Sequence, residues 1–451
     1  MFGEKFLRSL GIATALIGLF SIEAGAVPSF SDQTGEPCSA CHVGSFGPQL
    51  TARGRLFKLS GYSEGTASRQ LPLLSGMAEE SFTHTTKGQQ GEAAPGFHQN
   101  DNVATDQVSL FVAGRIYDHL GVFNQTTWDG IHHKTTWDNT DLRYGRDVSL
   151  AGVDTTLGLT LNNNPTVTDP YNTTPAWGFP YASSKLAPTP GASPLIQGAL
   201  AQRVVGSTAY AMIDDKIYAE GGLYRTLPGL KSQKRFGIQP TDGPTLSSAA
   251  PYWRLAYQNE SPKTSWHVGT FGMQASTNPS NDGSQGTDKF LDNGLDAAFQ
   301  WHASKAHVFS AYGSAIHEDQ RLLGSYNAGN ASDTRQALNS YRVTGSYNYD
   351  QTYGFTVGGF KSTGSHDATL YAASDTSGYN KNRPDSAGYV LQLDYTPFGK
   401  EGSWMSPWAN LRFALQYTGY TEFNGGSAGY DGNSRKASDN NTLYFLTWIA
   451  F

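Results

Sequence analysis

Cys38 and Cys41 are the only two cysteines of this chain, and with His42 they form the run Cys38-Ser39-Ala40-Cys41-His42. Two thiols at that spacing can form thioethers to the vinyl groups of one haem, and the adjacent histidine lies where its imidazole can bind the iron as proximal ligand. The run therefore reads as the attachment site of one covalent haem c, and the chemistry it offers is electron transfer. The other readings are a redox disulfide or half of a zinc site. Zinc needs further thiol or imidazole ligands at matching spacing, and there is no second cysteine pair.

The elements that must position this motif begin with an export signal. Lys5 and Arg8 precede the apolar run from Gly11 to Phe20, and Ala24-Gly25-Ala26 offers a small-residue cleavage site. Residues 1–26 are thus expected to be a removed signal peptide, since the apolar run is shorter than the roughly 20 residues that span a bilayer. Residues 27–70 read as a small monohaem cytochrome c segment. Residues 71–451 hold no cysteine and no stretch that reads as a transmembrane helix.

This longer part alternates apolar and polar residues with a period of two, between clusters of Gly, Asn, Asp and Pro, which is the pattern of strands. Leu157, Leu159 and Leu161 oppose Gly158, Thr160 and Asn162; Tyr389, Leu391, Leu393 and Tyr395 oppose Gln392 and Asp394; Leu411, Phe413, Leu415 and Tyr417 oppose Arg412 and Gln416. Strands are expected at 71–86, 106–118, 120–128, 138–150, 152–162, 199–213, 215–226, 250–259, 263–275, 289–302, 305–317, 336–350, 352–364, 387–398, 404–419 and 441–451. That is sixteen, and fourteen or eighteen fit the same pattern. Short turns such as Asp214, Ala303-Ser304 and Gln351 alternate with long connections such as 87–105, 163–198, 227–249, 318–335, 365–386 and 420–440. Alternating short and long connections, and apolar faces ending in aromatic residues, favour an all-β outer-membrane antiparallel barrel over a soluble sandwich. The chain ends on an apolar face of Leu443, Phe445, Ile449 and Phe451. The longest connection, 163–198, with Pro165, Pro170, Pro175, Pro180, Pro188, Pro190 and Pro194, reads as a proline-stiffened surface loop, with a packed loop folded over or into the pore as the alternative.

An even-stranded barrel returns both chain ends to the periplasmic side, so the haem segment is expected at or inside the inner mouth. A haem seated in the lumen would shorten the electron path between outside donors and periplasmic acceptors, an arrangement suited to substrates that precipitate or cannot be imported, such as Fe(II).

The stretches Val27-Pro28-Ser29-Phe30, Gln33-Thr34-Gly35, Cys38-Ser39-Ala40-Cys41-His42, Leu50-Thr51, Arg53-Gly54-Arg55, Phe57-Lys58 and Gly61-Tyr62 resemble the amino-terminal signature of the fused outer-membrane monohaem cytochrome-porin iron oxidases of iron-oxidising bacteria. Asn162-Asn163-Asn164-Pro165 and Thr174-Pro175-Ala176-Trp177-Gly178-Phe179-Pro180 are also similar to that family. One departure is Ala52-Arg53, where a larger apolar residue is expected before the Gly-Arg pair. The resemblance implies a cytochrome followed by a sixteen-stranded porin in the bacterial outer membrane, oxidising extracellular Fe(II) and passing electrons to periplasmic c-type cytochromes or copper proteins. It carries over Cys38 and Cys41 as attachment residues and His42 as proximal ligand. The alternatives are a conduit for another donor or acceptor, and a solute porin with a haem-bearing plug. A homotrimer, as many porins form, stays open.

The sixth iron ligand sets the potential, because a methionine thioether raises it relative to a second histidine. Met77, early in the first expected strand, is the candidate; its plain reading is apolar packing. His84, His119, His302 and His307 are alternatives near the inner side, whereas His98, His132, His133, His317 and His366 map to outer regions. Arg55 or Lys58 is a candidate partner for a haem propionate. Glu318-Asp319 reads as an acidic pair that could concentrate Fe(II), with solubility as the plainer account of such charge. A formal net charge of −6 without a basic stripe argues against nucleic acid as a partner.

Overall fold

The two-residue period closes into a barrel. In the computed structural model, which describes residues 28–65, 73–226, 245–279, 283–371, 382–405, 408–432 and 434–451, sixteen long strands form one antiparallel sheet. The first eight are β1 (Leu73–Thr85), β2 (Asn102–Tyr117), β3 (Leu120–Asp129), β4 (Lys134–Leu150), β5 (Val153–Asn162), β6 (Val204–Ile213), β7 (Ile217–Thr226) and β8 (Ala250–Glu260). They are followed by β9 (Thr264–Asn278), β10 (Asp288–His302), β11 (His307–Arg321), β12 (Arg335–Tyr349), β13 (Tyr353–Gly364), β14 (Ser386–Tyr395), β15 (Asn410–Glu422) and β16 (Thr442–Ala450). A two-residue strand, Thr245–Leu246, pairs with the end of β9. β16 returns to β1, with Met77 opposite Ala450 and Thr85 opposite Thr442, so the sheet has no open edge. The expected signal peptide, residues 27 and 66–70 of the expected haem segment, residues 71–72 of the first expected strand, 227–244 and 372–381 of the expected long connections, and 406–407 of the expected strand 404–419 lie outside the described residues.

Which face is buried decides the solvent. Leu157, Leu159 and Leu161 are 38%, 58% and 49% exposed, while Thr160 and Asn162 between them are 3% and 2% exposed. β14 repeats this, with Leu391 and Leu393 outside and Gln392 inside. A water-soluble sandwich would bury the leucines. A closed barrel with an apolar outer face and a polar inner face satisfies every backbone hydrogen bond while facing hydrocarbon, and this is an outer-membrane barrel. Outward-facing rings next to the short turns form a girdle: Phe309 stacks on Tyr347 at 4.8 Å, Trp301 on Phe309 at 5.3 Å and Tyr353 on Tyr395 at 5.4 Å.

The connections alternate as expected, with two differences. The connection between β14 and β15 begins at 396, and β15 starts at Asn410, later than the 404 expected, because Pro397, Gly399 and Gly402 break the alternation. This turn folds under the lumen, where Gly399 O accepts a 2.6 Å hydrogen bond from Ser45 Oγ. The connection after β5 is not a surface loop. It enters the lumen, burying Val167, Thr168, Asp169 and Tyr171, and the salt bridge from Arg254 to Asp169 holds it to the wall.

The amino-terminal segment fills the lumen near the short turns. It comprises α1 (Pro28–Thr34), α2 (Cys38–Cys41) and α3 (Ala52–Leu59). Its attachments run around much of the barrel. Ser29 Oγ lies 2.9 Å from Ser75 Oγ of β1, Gln33 accepts from Arg115 N of β2, and Tyr62 donates to Asp141 of β4. Leu59 O accepts from Tyr210 of β6, Arg55 binds Glu260 and Ser265, and Leu50 O accepts from Gln300 of β10. Asn410 and Arg412 of β15 donate to Ser45 O and Phe46 O. Each such bond contributes only about 0.5–1.5 kcal/mol, but their spread fixes both the position and the rotation of the segment.

Candidate functional site

The helix that carries Cys38 and Cys41 makes a close approach to α3. The short α2 carries both cysteines, and the chain then loops through an isolated bridge between His42 and Leu50 before starting α3. Thr51 caps α3 by accepting from Gly54 N at 3.2 Å, and its hydroxyl donates to Ala40 O at 2.5 Å. One residue thereby ties α3 to α2. Gly44, with φ +70°, sits in the left-handed region that favours glycine, so this turn needs glycine's backbone freedom.

Cys38, Cys41 and His42 all border an internal cavity of about 380 Å³, and Met77 borders the same cavity from β1. Neither thiol is in a disulfide, and both are half-buried. Burial pushes the Cys38 thiol up and the Cys41 thiol to about 11, so both are protonated at neutral pH. Burial also lowers the His42 pKa to about 4, which keeps the imidazole in the neutral form that binds metals. His42 Nδ1 is buried with no hydrogen-bond partner. Met77 is 5% exposed and packs with Phe46, Phe111 and Ala450.

Phe111 of β2, Phe123 of β3 and Trp448 of β16 complete an apolar wall, and Trp177 and Tyr181 of the inward-folded connection close another side. Phe46 meets Trp448 edge to face at 4.8 Å. The opposite end is polar, with Glu79, Gln107, Gln125 and Asp138. The volume falls within the roughly 300–1,000 Å³ of ligand sites. Two thiols, an imidazole with an orphaned nitrogen, a thioether and aromatic walls around one space suit an apolar macrocycle attached by thioethers. The residues present therefore fit a c-type haem.

Other candidates are placed elsewhere. His84 pairs with Asp101 at 2.6 Å, His119 stands in a turn beside Tyr144, His307 binds Tyr347 at 2.7 Å, and His302 is near the turn before it. None of these borders the cavity. His98, His132, His133, His317 and His366 are exposed. Arg55 is committed to Leu50 O, Glu260 and Ser265. Lys58 borders the cavity but donates to Val167 O, Asp169 O and Asn172 Oδ1 at 2.7–2.8 Å. Glu318 and Asp319 do not form one acidic pair: neighbours on a strand point to opposite faces, so Glu318 is buried in the lumen and Asp319 faces outward beside His317.

Sequence reasoning missed Phe111, Phe123 and Trp448 as cavity residues, although each is an apolar residue in the phase that should be polar. It also missed His267, which is buried against Asp296 at 3.0 Å and stacked on Tyr171 at 4.0 Å.

Neither a family model nor a curated protein matches the sequence. Among solved structures, the chain is similar to an anion-selective porin from Comamonas acidovorans, at 12% identity and a TM-score of 0.44, covering 84% of this chain and 98% of that one. It is similar to OmpF of Salmonella typhi in complex with daunomycin, at 13% identity and 0.44, covering 84% and 97%. It is also similar to in-vitro folded OmpT, an outer membrane protein of Vibrio cholerae, at 9% identity and 0.41, covering 84% and 96%. Likeness at this level carries no statement about function.

Proposed function

We propose that the chain carries electrons across the outer membrane, taking them from extracellular Fe(II) and delivering them to periplasmic c-type cytochromes or copper proteins. The observation that supports this best is the convergence of Cys38, Cys41, His42 and Met77 on one cavity inside a membrane barrel. A haem bound there supplies the ferric/ferrous couple that accepts one electron from each Fe(II), which becomes Fe(III). The chain's own residues do the rest. Cys38 and Cys41 would hold the group through thioethers, His42 would offer its imidazole to the iron, and Met77 would offer its thioether. The aromatic wall excludes water, which with the axial ligand is a lever on potential. Glu79 and Asp138 put carboxyl groups at the polar end, and Ala176, Trp177, Gly178 and Tyr181 of the inward-folded connection line the cavity.

The test is stopped-flow absorbance of the oxidised, detergent-held protein mixed with Fe(II) near neutral pH. Fast, saturable reduction that is lost in His42→Ala supports the proposal. A haem that reduces with dithionite and ignores Fe(II) overturns the iron reading and leaves a conduit for another donor. A second reading, a solute porin with a haem-bearing plug, draws support from the sixteen-strand closure, since barrels of this size can leave an aqueous channel. Ion and sugar flux through the protein in planar bilayers separates the two.

A further inference from the structure

The inward-folded connection divides the lumen in two. On its other side lies a second cavity of about 330 Å³, between Phe179 and Pro180 of that connection and the inner faces of β12, β13 and β15. Its lining contains no Asp or Glu. Ser340, Thr344, Ser362 and Thr418 contribute hydroxyls, and Arg342 contributes a guanidinium. Arg342 sits midway along β12 in the inward phase, between Ser340 and Thr344, which are 7% and 9% exposed.

This cation lacks the counter-charge that the other lumen arginines have. Arg143 pairs with Asp141, Arg254 with Asp169 and Asp296, Arg55 with Glu260, and Arg412 lies 3.8 Å from Asp394. Among the described residues Arg342 forms no ion pair, and its one hydrogen bond is a long 3.4 Å contact from Nη1 to Phe179 O. Arg342 is only partly exposed, and a guanidinium partly withdrawn from water with no carboxylate beside it is better satisfied when an anion enters. A guanidinium offers a planar fork that matches two oxygens at once, and surrounding hydroxyls can donate to the others.

We propose that this chamber binds a small tetrahedral oxyanion, of the phosphate or sulfate class, on Arg342 and the hydroxyls beside it. The site is separate from the haem cavity and does not depend on the electron-transfer reading.

The test is calorimetric titration of the full-length, detergent-held protein with inorganic phosphate and, separately, sulfate, at constant ionic strength with chloride as the balancing anion. Saturable binding of either oxyanion is expected, weakened at least tenfold in Arg342→Gln and less in Arg342→Lys, which keeps the charge but loses the fork. Thr344→Val, which keeps the shape, is expected to weaken binding several-fold and covers the case in which Arg342→Gln fails to fold. Absence of saturable binding of both anions to the unaltered protein overturns the proposal, as does unchanged affinity in the folded Arg342 variants.

Discussion

A β-carbon added to Gly54 would overlap the carbonyl oxygen of Cys41 and stand 3.2 Å from its carbonyl carbon. The obstacle is backbone, so no side chain can turn aside to make room. Gly54→Ala must therefore push α3 away from α2, loosening Thr51, which holds both helices. The barrel wall does not depend on this contact. The expected outcome is normal accumulation of a folded barrel with covalent haem content reduced several-fold, measured by haem staining against total protein on denaturing gels. Unchanged haem content would show that the two helices need not meet this closely.

Met77 stands opposite Ala450 on one side and Ser109 on the other, facing inward at the apolar end of the lumen. If its sulfur is the distal ligand, Met77→His must lower the midpoint potential, because imidazole favours the ferric state relative to a thioether. Met77→Leu preserves the packing volume and removes the sulfur, so it must alter the haem absorbance. Potentiometric titration followed in the haem bands checks both. An unmoved potential and unchanged bands in Met77→Leu would reduce Met77 to apolar packing.

The barrel was legible because its pattern is local: Leu157, Leu159 and Leu161 declare an outer face by spacing alone. Cys38, Cys41 and His42 stand within five residues, so their meeting at one cavity follows from their closeness in the chain. The walls of the cavity were not legible, because they are assembled from strands distant in the chain. Phe111, Phe123 and Trp448 each break the inward polar phase, and only closure of β16 onto β1 shows that these breaks fall at one place. For the connection after β5 the sequence favours the surface reading over the fold into the pore for a related reason. Its prolines suggest stiffness, but its direction is set by Asp169 meeting Arg254 85 positions later, a pairing that no local pattern contains.

Asp367 organises the outer side through donors rather than cations. Its carboxylate accepts from Ser332 N and Oγ, Asp333 N, Thr369 N, Leu370 N and Gln336 Nε2, all at 2.7–3.0 Å. Burial alone would raise its pKa, but the Leu370, Ser332 and Thr369 donors outweigh it and hold the pKa at about 2. The unfolded value is about 3.9. With the folded value below the unfolded one, the stabilisation is complete above about pH 4 and is lost as pH falls through about 2. Hydrogen exchange of the Thr369 and Leu370 amides should therefore stay slow at pH 4 and accelerate, beyond the intrinsic trend, towards pH 2. Asp367→Asn should expose them already at neutral pH, at a stability loss of about 1–3 kcal/mol.

Arg254 holds the inward-folded connection to the wall. Its guanidinium binds Asp296 twice at 2.9 Å and pairs with Asp169 of the connection at 2.9 Å, with every one of these side chains fully buried. Thr173 of the same connection donates to Asp296 at 2.6 Å, so both ends of this short stretch depend on one cluster. Arg254→Met leaves two buried carboxylates facing each other without a cation, a change that costs about 3–5 kcal/mol when one partner of a buried pair is removed. The connection can relieve this by leaving the lumen, since Asp169 then reaches water while Asp296 keeps His267. Two outcomes are expected together: a lower urea midpoint in detergent, and larger or noisier conductance in planar bilayers. Adding Asp169→Asn to Arg254→Met removes one of the stranded charges and should recover part of the stability without restoring the conductance, because the tie to the wall is still gone. Recovery of both would place the anchor in the remaining contacts, Lys58 to Asp169 O and Thr173 to Asp296, rather than in the arginine.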